Sequence, residues 1–342
     1  MNSTWQDFLR LQGASITDGV VQHFSHPSSE LVSVRDGNIV CDLSQFGTLK
    51  VHGEEAGIFL QNLLSSDVNE VNEQHAQIGS LSNPKGRMLA TFIVWRNHGD
   101  YLLHLPASLC ATVLKRLTLY VLRTKVKIAD TTAQQIILGV SGKDTAQLLQ
   151  QIFGSVPQAP FEVEQLGPGG IIRVGENRFL IYLSAQLAPT LWPQLSAVAH
   201  PVGSHCWDWL NIRAGLPVIL PATQEQFVAQ MANLELLGGV SFKKGCYPGQ
   251  EIVARMQYLG KLKRRMFLAH IGGEIAPQPA DELFSADMEG QASGMVVNAA
   301  AAPDGGWDML AVVQISSRET ATVHHLSLEG AVLQFMALPY LT

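Results

Sequence analysis

The chain has 342 residues, 46% of them hydrophobic and 15% charged, with a formal net charge of -6. That balance excludes a disordered chain, which would be poorer in apolar groups and richer in charge. It also excludes a general nucleic-acid binder, which needs a basic field to displace counterions from phosphates. The length exceeds what a single core fills, so two or three domains are expected.

Met1 to Arg10 has no basic start followed by an apolar run, and no apolar stretch is long enough to cross a bilayer. The four cysteines, Cys41, Cys110, Cys206 and Cys246, form no CxxC pair. Neither a zinc site nor a disulfide framework is suggested, so no metal is expected. Free thiols without a signal peptide point to a cytoplasmic location.

Two stretches of the chain resemble each other. Val51 to Leu64 and Val140 to Phe153 both read as the end of a strand, a glycine turn and a helix. Helical spacing places Phe59, Leu60, Leu63 and Leu64 on one face, and Leu148, Leu149, Ile152 and Phe153 on the equivalent face. After the first helix come strands at Met88–Trp95 and Tyr101–Leu105, a helix at Ala107–Leu122 and a strand at Val126–Ala129. After the second come Ile171–Val174, Phe179–Leu183 and a helix from about Ala185 to Ala199. A β-α-β-β-α-β order met twice predicts two ferredoxin-like units. From about Lys261 onward, short alternating runs separated by Gly, Pro and Asp turns show no helical pattern and predict a small or open β-barrel.

Gly238 to Arg255 is the segment richest in chemistry. Pro248 suits the first turn of a helix, and Gln250 to Gln257 has helix-compatible composition. Cys246 then lies just before a helix N-terminus and beside Lys243 and Lys244, features that favour a thiolate. The contrasting reading is a small buried hydrophobe, as most free cysteines are. A cysteine hydrolase would need a histidine partner; none is near in sequence, and His200, His205 and His270 are the candidates to reach it in space. Glu251 and Arg255, at i and i+4, read as a surface ion pair or as residues that fix the cysteine loop. Lys85 and Arg87 in the Asn83–Arg87 turn are two cations able to meet an anionic ligand tail. Arg123, Lys125 and Lys127, and Lys261, Lys263, Arg264 and Arg265, are further basic clusters that read first as solvated faces. Phe46, Trp207 and Trp209 are flat rings beside polar residues, usually core but suited to stacking on a heterocycle.

The run Ser241 to Glu251, with Arg255 following, resembles the signature of the YgfZ family of folate-binding proteins, relatives of the glycine-cleavage T-protein. Gln230 to Glu235, Asn211 to Ile219 and Leu338 to Tyr340 extend the likeness, which runs from about Cys41 to the end. It implies an α+β, T-protein-like fold: two ferredoxin-like units plus a C-terminal β-barrel, three domains in a ring. The boundaries expected are residues 30–130 with 205–260, residues 131–204, and residues 261–342.

The resemblance also implies a ligand, tetrahydrofolate or another reduced folate. Phe46 and Trp207 fall where the family uses two tryptophans, and Lys85, Arg87, Tyr247 and Gln250 are the other expected binding residues. Cys246, Lys244, Glu251 and Arg255 are the expected working residues. Partners implied are iron–sulfur enzymes or their assembly proteins, with tRNA methylthiolation downstream and no direct contact with tRNA or membrane. T-proteins carry adjacent aspartates where Ala90 and Thr91 stand here, which argues against aminomethyl transfer. A different folate-dependent one-carbon transferase and a non-catalytic scaffold are the alternative readings.

Overall fold

The computed structural model describes residues 2–258 and 260–341. The α+β chain divides into two compact units. The first comprises Met1–Phe59, Asn69–Gln77 and Ile93–Trp207, and the second Leu60–Val68, Ile78–Phe92 and Asp208–Thr342.

The internal repeat is realised as strand, helix, three strands, helix, strand. Its first copy is Phe46–His52, Ala56–Gln61, Gln77–Ser82, Met88–Asn97, Asp100–Pro106, Ala107–Val121 and Lys127–Asp130. Its second is Gln135–Ser141, Thr145–Phe153, Val163–Leu166, Gly169–Gly175, Arg178–Ser184, Ala188–Ser196 and His200–Val202. Each copy has one strand more than the sequence pattern predicts. In Gln77–Ser82 every residue is buried, so no period-2 alternation marks it. Val163–Leu166 is only four residues long.

In the first unit, Ile93–Asn97 pairs antiparallel with the start of Asp100–Pro106, which pairs with Phe46–His52, which pairs with Lys127–Asp130. That succession is the ferredoxin-like order. The second copy departs from it. Gln135–Ser141 pairs antiparallel with Arg178–Ser184 and, on its other side, with Ile39–Asp42. His200–Val202 then joins the sheet parallel to Ile39–Asp42. The strand from the N-terminal segment is thus inserted where the simple pattern has none.

Register explains the core of this sheet. Phe179, Ile181 and Leu183 face Val140, Leu138 and Ile136 across the ladder, and all six are buried. Leu149, Trp192 and Leu195 pack on them, together with Trp5 and Leu9 of the helix Ser3–Leu11. Asn2 caps that helix through the Trp5 amide. Trp5 Nε1 donates to buried Asp42 Oδ2 at 2.7 Å, tying the helix to the inserted strand. Burial holds the Asp42 carboxyl above its usual range.

In the second unit, six strands form an antiparallel sheet around Ala269, Ile271, Leu283, Val296, Met309, Ala311 and Val313. Its outer strands are Val323–His325 and Gln334–Met336. A bridge between His324 and Val332 links one outer strand to the residues leading into the other, so the sheet curls back on itself. A helix at Ile315–Thr320 interrupts this β-rich segment, where the sequence shows no helical period; six residues are too few to display one. Among the described residues no helix is long and apolar enough to cross a membrane.

Candidate functional site

The Gly238–Gly249 loop is built by alternation. Lys244 and Tyr247 are buried, while Lys243, Gly245 and Cys246 are exposed. Within the second unit, Lys244 donates from Nζ to the carbonyls of Leu64 (2.7 Å) and Ser66 (2.8 Å). Ser65 between them donates through Oγ to Gly239 O at 2.6 Å, and its carbonyl accepts from the Ser241 amide at 2.9 Å. The loop is therefore pinned at Gly239, Ser241 and Lys244 to one buried segment. Burial lowers the Lys244 pKa from 10.5 to about 8, with Asp67 opposing the shift. The sequence places this cation beside the thiol; the structure commits its ammonium to the Leu64 and Ser66 carbonyls.

Tyr247 packs under the same ammonium, with Lys244 Nζ 5.3 Å from its ring centroid. Its hydroxyl is buried and has no hydrogen-bond partner among the described residues. Burial raises its pKa to about 12. Gln250 donates from Nε2 to Lys244 O at 3.3 Å, closing the loop over the lysine backbone.

The helix Gln250–Tyr258 begins two residues after Pro248, not at it. Gly249 has φ +83°, and a left-handed residue cannot continue into a right-handed helix. The same glycine is needed for space, because an added Cβ would lie 2.4 Å from Gly86 Cα. Gly86 closes the Asn83–Arg87 turn at φ +74°. In that turn Asn83 Oδ1 accepts from the amides of Lys85 (2.9 Å) and Arg87 (3.1 Å). Two motifs far apart in sequence thus meet glycine to glycine. Arg87 donates to the carbonyls of Glu225 (3.1 Å) and Gln226 (2.8 Å), so its guanidinium supports the backbone. Lys85 is exposed, as are Glu251 and Arg255 on the helix.

Cys246 is the exposed cysteine; Cys41, Cys110 and Cys206 are buried. Burial raises the Cys110 thiol to about 12, which keeps it protonated. Ala90 is fully buried, and Thr91 is 6% exposed. Thr91 Oγ1 donates to Pro217 O (3.0 Å) and accepts from the Ile219 amide (3.1 Å), which makes it a structural hydroxyl. No carboxylate stands at either position.

In the first unit, Phe46 is half-buried, and its ring lies 4.8 Å from that of His104. His104 is buried, its Nδ1 has no partner among the described residues, and burial lowers its pKa to about 3. Trp207 is only 2% exposed. Arg178 lies 4.6 Å above its ring, and an added Cβ on Gly139 would come within 2.5 Å of its Cε3. A ring so covered is a wall of the core, whereas Phe46 retains surface for a ligand. In the second unit Trp209 donates to Asp308 Oδ2 at 2.9 Å, and His270 holds the other Asp308 oxygen at 2.9 Å. Both residues are thereby engaged in a structural node. Of the basic clusters, Lys125 pairs with Glu54 and Arg265 with Glu235.

The family model described as the GCVT N-terminal domain matches residues 17–244. The chain belongs to that family. It is 33% identical over 228 residues to tRNA-modifying protein YgfZ of Colwellia psychrerythraea, covering 66% of this chain and 69% of the relative. The resemblance read from the Ser241–Glu251 signature therefore holds. Its fold is similar to that of glycine cleavage system aminomethyltransferase T from Bartonella henselae, with a TM-score of 0.79 at 17% identity over 99% of this chain and 98% of the other. At that identity the likeness speaks for the fold alone.

Sequence reasoning missed the Leu64–Ser66 segment that receives Lys244, since unmodified carbonyls leave no signal in a sequence. It also missed a group in the first unit formed by Glu30, His205 and Cys206, whose members are remote in the chain.

Proposed function

We propose that this chain is a folate-binding accessory protein of tRNA modification that works through Cys246 and is not an aminomethyltransferase. The observation that carries the reading is the loop itself. Lys244 and Tyr247, buried on either side of Cys246, leave it facing outward on a backbone anchored through Lys244. A merely structural cysteine would be turned inward, as Cys41, Cys110 and Cys206 are. The buried, saturated hydroxyl of Thr91 supports the second half of the reading, because that position offers no group to act on a reacting amine.

A reduced folate is the proposed cofactor. Phe46 fits it as a stacking surface, being flat and half-buried, with the unpartnered His104 Nδ1 behind it. Trp207 is proposed to support that region from the core, and Lys85, exposed in the second unit, is kept as a separate candidate contact for an anionic group. Arg87, Tyr247 and Gln250 act by holding backbone in place. Bound folate would supply a one-carbon carrier, and this chain's own residues would bind and orient it. The clients proposed are iron–sulfur enzymes or their assembly proteins, among them one that methylthiolates tRNA, with action in the cytoplasm. Glu251 and Arg255, exposed beside the loop, are proposed to meet the client. The three-domain division at residues 130, 204 and 260 is retained as part of the proposal.

Calorimetric titration with tetrahydrofolate tests the cofactor. Saturable binding by the wild type, weakened roughly fivefold in Phe46→Ala, is expected, since one lost stacking ring is worth on the order of 1 kcal/mol. No binding by the wild type would sink the folate assignment.

A further inference from the structure

We propose that Glu30, His205 and Cys206 form a binding site for one divalent metal ion of borderline softness, with zinc the natural occupant. The three side chains offer an oxygen, a nitrogen and a sulfur whose ligand atoms all lie within 4.8 Å of one another. His205 Nε2 is 3.3 Å from Cys206 Sγ and 4.0 Å from Glu30 Oε2. Tetrahedral coordination with Zn–S of about 2.3 Å and Zn–N or Zn–O of about 2.1 Å needs ligand separations of roughly 3.4–3.6 Å, so the nitrogen–sulfur edge already fits and the nitrogen–oxygen edge must shorten when an ion binds. Mixed N, S and O donors with a tetrahedral reach suit zinc better than calcium or magnesium, which prefer oxygen alone.

The surroundings orient each ligand. His205 Nδ1 lies 3.1 Å from Gln22 O and Nε2 lies 3.4 Å from Pro27 O, and the shorter contact favours the tautomer with the ring proton on Nδ1. The Nε2 lone pair is then turned toward the sulfur and the carboxylate. A second ring nitrogen bonded to a backbone carbonyl is the usual support of a metal-binding histidine. Pro27 O, 3.4 Å from Nε2, is a further oxygen at hand for a fourth position. Glu30 Oε1 accepts from the amides of Phe24 (2.6 Å) and Ser25 (2.7 Å), and Oε2 from that of Gly203 (2.8 Å). These bonds fix the orientation of the carboxylate, with Oε2 4.0 Å from His205 Nε2.

The backbone is shaped for this meeting. An added Cβ at Gly203 would lie 1.8 Å from Gln22 O, so glycine is what lets the start of the helix Ser204–Arg213 approach the strand Val20–His23. Glu30 comes from the first turn of the helix Pro27–Asp36. Glu30 and Cys206 are buried while the His205 side chain is 26% exposed, which leaves the imidazole side as the entry path. Binding forms a metal–sulfur bond and releases the Cys206 thiol proton to solvent, so affinity should rise with pH.

Chelator-stripped full-length protein is titrated with Co2+ as a spectroscopic probe and with Zn2+ by equilibrium dialysis. One ion per chain is expected, with thiolate-to-cobalt charge-transfer absorption and a zinc-induced rise in Tm. Cys246→Ser should keep all three signals, because the exposed thiol lies outside the site. His205→Gln, at a partly exposed position outside the hydrophobic core, should weaken zinc by on the order of 100-fold and abolish the Tm rise. Cys206→Ala should lose the charge-transfer band. Absence of stoichiometric binding in the wild type, or loss of binding in Cys246→Ser with His205→Gln unaffected, would overturn the proposal.

Discussion

Replacing Lys244 by Met tests the anchoring of the cysteine loop. Methionine keeps the length and much of the volume of the side chain but removes both donors, leaving the Leu64 and Ser66 carbonyls without this partner. Each unsatisfied buried carbonyl costs about 1–3 kcal/mol. Relief from burying an ammonium offsets part of that. A net loss of about 2 kcal/mol at pH 7 is expected, read by urea denaturation with the slope unchanged. The pH dependence provides an independent arm. Lys244 has its pKa lowered from 10.5 to about 8. Between those values the folded protein has shed the proton that the unfolded chain still binds, so this residue's contribution makes stability rise with pH. The difference between wild type and Lys244→Met should therefore grow across that window. A variant as stable as wild type at pH 7, with a pH-independent difference, would refute the anchoring argument.

Gly249→Ala should lower stability by roughly 2 kcal/mol or more, because it strains a positive φ and drives a Cβ into Gly86; an unchanged Tm would contradict that close approach. His104, with a pKa lowered to about 3, should show no imidazole titration by NMR between pH 8 and 5. Its contribution to stability is present above pH 6.5 and is lost as pH falls toward 3, where the unfolded chain has already taken its proton. A midpoint near 6.5 would mean that the ring is solvated.

Much of this was legible in the sequence for physical reasons that differ by element. The helix Thr145–Phe153 and the strand Arg178–Ser184 carry strong periodicity over a full element, and both lie within a residue or two of their expected places. Gln77–Ser82 was invisible because full burial erases alternation. Ile39–Asp42 was invisible because four buried residues do not reveal which sheet they join. At the loop, residue types told where chemistry was concentrated but not which way each side chain points. Lys243 and Lys244 read alike, yet one is exposed and the other fills the interior. Trp207 read as core or as a stacking surface, and only the structure shows it packed against Gly139 and Arg178 with 2% of it exposed.

Substitution of Cys246 by Ser, with methylthiolated nucleosides of cellular tRNA quantified by mass spectrometry, tests the central claim most directly. The side chain is exposed, so the variant should fold with an unchanged Tm. The account predicts that cells relying on Cys246→Ser lose methylthiolated tRNA as fully as cells lacking the protein. Wild-type levels of methylthiolation in that variant would contradict a working thiol and leave the loop a structural element only.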